Sequence, residues 1–573
     1  MTLEHALNPN TLVMPRDHAT LAHWSAGRVS TLLTIIALGL WSYSLVQAKL
    51  SIGSLGLIHS FPITFLVSLG LLTIASAVLW VSKENHTKLL FLQLSLLVVS
   101  FWLVPVLAGG SLPFLNHMYR DYGNVDYILR NGHIDPEIVT YLNWPGSQLL
   151  FASGMKVTGW EGIPHGFLAT STFFMMILIL LMMYAFLKSI FPASQTNYTW
   201  AALWVACLGC VTGPVRFSPP AMGFLLMLCV LMLITAMERG RMRDIGLRSC
   251  MIVVGATLTF VHLLTALYSL AIVFGQFIHK RKSPITFILL LISLIVAWQV
   301  YVATSYFSFK LPIFLESALS LDALAFHSME RGTNGSESHI VISSIRFYFT
   351  LLLAGLAITG GLLAYLKHKW NPNDRSMLIV LAAIIATSIG VGAAYGGFHI
   401  FNRVLTFILP IIAYFAVKWL DFRRLRVIFV GCLLIALPLH MITHYGNQTY
   451  DHLSTGFIKS LDFFENSESG GTVYSNILLE LPEQQDKYSM MIALALYRAE
   501  KSDQITPEQI MENNSENLVY VHVDNRDEER FEFEFDDAAF FREWHASLAD
   551  SHHFNYIYSN KDVNLYFGDP KGN

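Results

Sequence analysis

The strongest constraint on this chain is a succession of apolar runs, nearly free of charge and many of them close to twenty residues long, between residues 29 and 443. At 1.5 Å per residue a run of that length reaches across a hydrocarbon layer about 30 Å thick. The runs fall at about 29–48, 61–82, 88–108, 166–189, 198–213, 219–237, 249–260, 263–279, 284–304, 345–366, 376–395, 402–418 and 425–443. Charged residues make up 13% of the 573-residue chain, against about 25% in soluble domains. The expected fold is a polytopic α-helical membrane protein with about 11–13 membrane segments, followed by a small C-terminal α/β domain. The net charge of −3 says nothing of partners, but the lack of a basic domain argues against a nucleic-acid partner.

Positive charge between the runs sets the orientation. The stretches 238–249, 279–283, 367–376 and 418–427 are short and rich in Lys and Arg, which marks them as cytoplasmic. Residues 1–28 are polar and carry charges and proline, so they read as a cytoplasmic N-terminal segment followed by an uncleaved first helix. The multi-pass domain then spans 29–443 in the cell (plasma) membrane, with loops 109–165 and 305–344 and the domain 444–573 extracytoplasmic. Residues 249–282 must leave and return to one side on about 30 apolar residues, which predicts two half-depth helices meeting near Phe260-Val261-His262. In the C-terminal domain, 470–476, 517–524 and 556–568 read as strands and 451–466, 484–502, 506–514 and 536–550 as helical; the acidic run 524–537 reads as a solvated face.

Polar chemistry gathers in one loop, His117 to Leu150, which is rich in aromatics and carries Arg120, Asp121, Asp126, Asp135 and Glu137. Carboxylates at a membrane face are costly to keep and are read first as functional. The loop closes on Asn143-Trp144-Pro145-Gly146, which cannot continue a helix. No internal repeat of the kind common in transporters is visible.

The series Arg120-Asp121, Asp126 through Gly132-His133, Tyr141 through Gly146 and Leu149-Leu150 resembles the acidic loop of the GT-C superfamily, the polyprenyl-phosphate-sugar-dependent membrane glycosyltransferases that include dolichyl-phosphate-mannose mannosyltransferases. The specific motif covers about 35 residues and the topology roughly 85–443; the loop here follows the third apolar run, where such enzymes often have it after the first. The resemblance implies transfer of a sugar from a polyprenyl-phosphate donor to a glycan, lipid or protein acceptor at the outer membrane face, with inversion and with a carboxylate as general base. Asp121 is the first candidate for that base and Asp126 the second. Arg403, at the outer end of an apolar helix, and Arg120 are the candidate cations for the leaving lipid phosphate. His262, His399, His117 and His133 are candidate substrate contacts. A flippase of lipid-linked saccharides is the alternative from another class, and a non-catalytic scaffold the third. No cofactor is expected and no ligand spacing predicts a metal, although a divalent ion is left open. The pair Cys207 and Cys210 reads as membrane packing.

Overall fold

The protein is seen here as a computed structural model, which describes residues 25–49, 51–104, 114–136, 140–160, 165–211, 217–238, 245–280, 285–308, 312, 335–395, 398–448, 452–465, 470–475, 488–492, 506–514 and 517–571. The bundle begins with α1 (Ala26–Gln47), α2 (Ile63–Trp80) and α3 (Thr87–Val98, prolonged by a π turn). After the polar loop come α6 (His165–Ile190), α7 (Thr196–Gly209), α8 (Pro219–Glu238), α9 (Ile245–Val261), α10 (Leu263–Lys280) and α11 (Ile285–Tyr301). The last four are α12 (Glu337–Leu366), α13 (Pro372–Tyr395), α14 (Phe398–Ala416) and α15 (Arg426–Tyr445). Among the described residues eight helices are long and apolar enough to cross a membrane, and four more are apolar but shorter. The chain is a multi-pass membrane protein.

Packing explains the departures from a simple apolar count. The run at 198–213 becomes α7, only 14 residues long and almost wholly buried, so it is a central helix enclosed by others. Lipid-facing helices instead expose large apolar side chains such as Leu289, Val296, Ile358 and Ile389. The expected break near residue 260 is present at His262, between α9 and α10. These legs have 17 and 18 residues, or about 26 Å each, so they are nearly full depth rather than half depth. Their polar ends, Ile245 to Arg248 and His279 to Lys280, supply length that an apolar count omits. Membrane helix α12 starts at Glu337, inside the stretch expected as loop, because Ser336 caps it by accepting from the His339 N–H.

The polar loop folds into two helices, α4 (Asn116–Asn131) and α5 (Gly146–Thr158). Strand β1 (Phe114–Leu115), just before α4, pairs antiparallel with β2 (His452–Leu453). The C-terminal region then gives α16 (Thr455–Glu465), β3 (Gly471–Ser475), β4 (Tyr488–Ile492), α17 (Pro507–Glu512), β5 (Val519–Asp524), α18 (Asp527–Phe535), α19 (Ala538–Asp550), β6 (Asn555–Ser559) and β7 (Val563–Gly568). The five-stranded sheet runs β4-β3-β5-β7-β6, parallel over β4-β3-β5 and antiparallel beyond. Strand β4 lies within the stretch 484–502 expected as helical; pairing with β3 overrides the helix preference of its methionines.

The acidic run 524–537 is not a solvated face. Asp524, Asp527 and Arg530 are all buried, with Arg530 Nη1 at 2.7 Å from Asp527 and 3.1 Å from Asp524. One guanidinium neutralises two carboxylates, which is what permits charge in that interior. The same arginine donates through Nη2 to the His452 carbonyl at 2.7 Å, so it also holds β2 in place. Helix α18 reaches the membrane bundle as well, since the Ser336 N–H donates to the Phe533 carbonyl.

Candidate functional site

Helix α4 is polar by composition yet buried nearly all round, because it lies between two layers. Val125, Tyr127 and Ile128 join a core that includes Ala152 and Met155 of α5, Leu168 of α6, and Phe457, Leu461, Val473, Tyr520 and Leu565 of the C-terminal domain. Burying Val125 and Ile128 contributes on the order of 1.5–3 kcal/mol each. The loop and the C-terminal domain therefore lie on the same side of the bundle. Gly132, with φ 71°, ends α4 and its N–H bonds the Ile128 carbonyl.

The two candidate bases stand five residues apart on α4, which turns them away from each other by roughly 140°. Asp121 is 8% exposed and borders a small recess with about 30 Å³ of free volume. Tyr122, Val125, Phe151, Phe167, Ser171 and Phe217 form most of the rest of the wall. Asp126 is buried too, but Arg130 one turn later donates to it from Nε at 2.7 Å. Between them on the helix, Asn124 is fully buried, and neither of its amide atoms meets a hydrogen-bond partner. On α5, Gln148 is 2% exposed; its Oε1 accepts from Ser147 while its Nε2 is unpartnered. Neither amide was singled out from sequence. The only trace there is spacing, with Asn124 three residues after Asp121 and Gln148 three before Phe151.

The turn before α5 is docked on the bundle. Trp298 of α11 donates from Nε1 to the Asn143 carbonyl at 2.9 Å, and Trp144 meets Tyr306 edge to face. At Gly146 a Cβ would come within 2.6 Å of Phe260 and Val261, so only glycine lets α5 start against the end of α9. That contact brings the loop to the His262 break. His262 is half-buried, its Nδ1 lies 2.7 Å from the Thr265 hydroxyl, and its ring stacks on Phe407 of α14 at 6.5 Å between centroids. Position 403 lies four residues before Phe407 on α14, hence on the same face one turn nearer the helix start, and position 399 one turn beyond that.

His133 sits just past the end of α4, with Nε2 at 3.3 Å from the Tyr127 hydroxyl and Nδ1 at 3.0 Å from the Asn131 carbonyl. Positions 117 and 120 fall in the first turns of α4. The side chains of His117, Arg120, His399 and Arg403 lie outside the described residues, as does Glu137 altogether. Among the described residues no group of three His, Cys, Asp or Glu is placed to hold a metal ion. Cys207 and Cys210 are buried, unbridged thiols.

Electrostatics in the C-terminal domain are dominated by burial. His522, whose Nε2 meets the Ser460 hydroxyl at 2.7 Å, is pushed down to about 4. His452 is likewise lowered to about 4, by burial and then by the Arg526 and Arg530 charges. Burial pushes the Asp527 carboxyl up to about 6 against the pull of Arg530.

No protein-family model matches the chain, and no curated protein matches it. Two solved structures are similar in chain path. The Archaeoglobus fulgidus oligosaccharyltransferase tethered with an acceptor peptide shares 13% identity at a TM-score of 0.49, over 86% of this chain and 74% of that one. ArnT from Cupriavidus metallidurans, bound to undecaprenyl phosphate, shares 11% identity at a TM-score of 0.47, over 84% of this chain and 98% of that one. Both are enzymes of the GT-C superfamily.

Proposed function

We propose that this protein is an integral membrane glycosyltransferase that moves a sugar from a polyprenyl-phosphate carrier to an acceptor hydroxyl or amide at the extracytoplasmic face. The observation that carries the reading is the buried Asp121 carboxylate on the wall of an aromatic-lined recess in the polar loop. Asp121 acts as general base. It takes the acceptor proton as the acceptor atom bonds to the anomeric carbon, and the bond from that carbon to the phosphate oxygen breaks with its electron pair passing to the lipid phosphate. Attack from the face opposite the phosphate inverts the anomeric centre. A positioned base of this kind contributes about 10²–10⁴-fold.

Arg403 and Arg120 receive the charge that grows on the leaving phosphate, for which the planar guanidinium is suited. His262, held by Thr265 and Phe407, contacts the substrate from the bundle side, and His399, His117 and His133 serve as further substrate contacts. Phenylalanine walls around Asp121 keep bulk water from competing with the acceptor. The C-terminal domain holds α4 in place through the shared core and presents the acceptor. No metal enters this scheme.

Purified protein supplied with a panel of polyprenyl-phosphate sugars and crude acceptor extract tests the proposal. Release of polyprenyl phosphate with appearance of glycosylated acceptor is the expected result. Movement of intact lipid-linked sugar between leaflets with no bond cleavage contradicts it and assigns a flippase.

A further inference from the structure

We infer that β2 is an acid-released latch on the start of α4: protonation of His452 drives β2 from its place beside Arg526 and Arg530, parts it from β1, and frees the first turns of α4, which carry Asp121. The inference concerns how α4 is held and goes beyond the reading of the reaction. Helix α4 has two fastenings of different kinds. Its middle, at Val125, Tyr127 and Ile128, is fixed by apolar packing against α5 and the C-terminal domain, and protons do not act on such contacts. Its start follows directly from β1, which pairs with β2 at two positions, Phe114 with Leu453 and Leu115 with His452. A two-stranded ribbon by itself is marginal in water, so whatever holds β2 decides whether the pair stays closed.

Beta strand β2 is held from a cationic side of the domain. Arg530 donates from Nη2 to the His452 carbonyl at 2.7 Å, while its Nη1 is bound to Asp524 and Asp527. The His452 ring is partly buried, and its Nδ1 is shielded from solvent with no hydrogen-bond partner among the described residues. A neutral imidazole tolerates that place. An imidazolium there has lost water, lacks an acceptor at Nδ1, and faces the like charges of Arg526 and Arg530. Asp524, at the end of β5, pulls the other way but is already paired with Arg530. Of the remaining titratable groups, Asp527 is bound to Arg530, His522 meets Ser460, and the first turn of α4 adds a histidine at position 117. Burial first, and then the two arginines, push His452 down to about 4. Because that folded value lies below the ordinary 6.5, the closed latch is fully stable above pH 6.5 and weakens as pH falls toward 4. Between pH 7.5 and 5 the linkage raises the opening constant by up to about 30-fold. Asp524 and Asp527 keep their cation when β2 leaves, so the rest of the clamp survives the opening.

Hydrogen exchange on the full-length protein in detergent tests the latch, with protection factors taken at pH 7.5 and pH 5 so that the chemical pH dependence of exchange divides out. Wild type is expected to lose up to about 30-fold in protection over residues 114–121 and 452–453 at pH 5, reversibly, while β3, β5 and β7 keep theirs. His452→Gln, which cannot take up the proton, is expected to match wild type at pH 7.5 and to lose nothing at pH 5. Unchanged wild-type protection overturns the inference, as does an equal fall in His452→Gln. So does a fall that spreads over β5 and β7, which reports unfolding of the whole domain. Should His452→Gln already be open at pH 7.5, Arg526→Gln decides. With one cation removed from beside the imidazole, its acid response is expected to be smaller than that of wild type, and an equal response overturns the latch. Turnover is not read, so the outcome stands whether or not sugar transfer is the reaction.

Discussion

Asp121 and Asp126 occupy the same helix, are similarly buried, and point in different directions. Asp121 borders a recess with aromatic walls, while Asp126 is tied to Arg130 within its own helix. Burial alone therefore does not distinguish the two carboxylates; the border on a recess does. A general base needs reach to a substrate proton, which a place on a recess wall supplies. The same helix shows how such a pair of environments is built, since Val125, Tyr127 and Ile128 fasten it into a core with the C-terminal domain.

The contrast can be broken most sharply at Asp121 itself. Asp121→Asn is expected to lower turnover about 10²–10⁴-fold with donor binding retained, as read from initial rates and donor titration. Next in size is the clamp that carries β2, and through it β1 and α4. Arg530→Met leaves Asp524 and Asp527 buried without their cation, a loss of about 3–5 kcal/mol, visible as a lower melting temperature and faster proteolysis of the C-terminal domain. Acid should loosen the same region. His452 and His522 have folded values near 4, below the ordinary 6.5, so their contribution is complete above pH 6.5 and is lost as pH falls toward 4. Asp527, raised to about 6, works in the opposite sense, its burden growing from about pH 4 to 6. The two histidines outweigh it, and fully buried His522 alone amounts to about 3 kcal/mol at most. Melting temperature is thus expected to fall below pH 6, and His522→Gln to flatten that fall. The smallest effect belongs to Asp126→Asn. Loss of an ion pair with a partly exposed arginine should cost about 1 kcal/mol of stability and less than about tenfold in turnover, measured beside Asp121→Asn.

The bundle was legible in the sequence because lipid imposes a simple rule, about twenty apolar residues per crossing. The break at His262 was legible for a related reason, since a polar residue interrupts an apolar stretch bounded by basic clusters. The outer layer was not. Val125, Tyr127 and Ile128 pair with residues more than 300 positions later, and nothing local signals that partnership. Likewise Asp524, Asp527 and Arg530 look like a solvated run until the fold brings one guanidinium between two carboxylates. Tyr488 to Ile492 carries helix-forming methionines and becomes a strand only because β3 is there to pair with it. Among the candidate residues, Asp121 and the turn at Gly146 drew notice by type and punctuation. Asn124 and Gln148 did not, because an amide in a polar loop attracts no notice until its burial is known.

The most direct measurement is single-turnover sugar transfer by Asp121→Asn and Asp126→Asn, side by side, at saturating donor and with folding checked by melting temperature. The account predicts a folded Asp121→Asn that binds donor and does not transfer it, alongside an Asp126→Asn that transfers at a rate near wild type. Full transfer by Asp121→Asn, or a folded Asp126→Asn that alone is inactive, contradicts the assignment of the base.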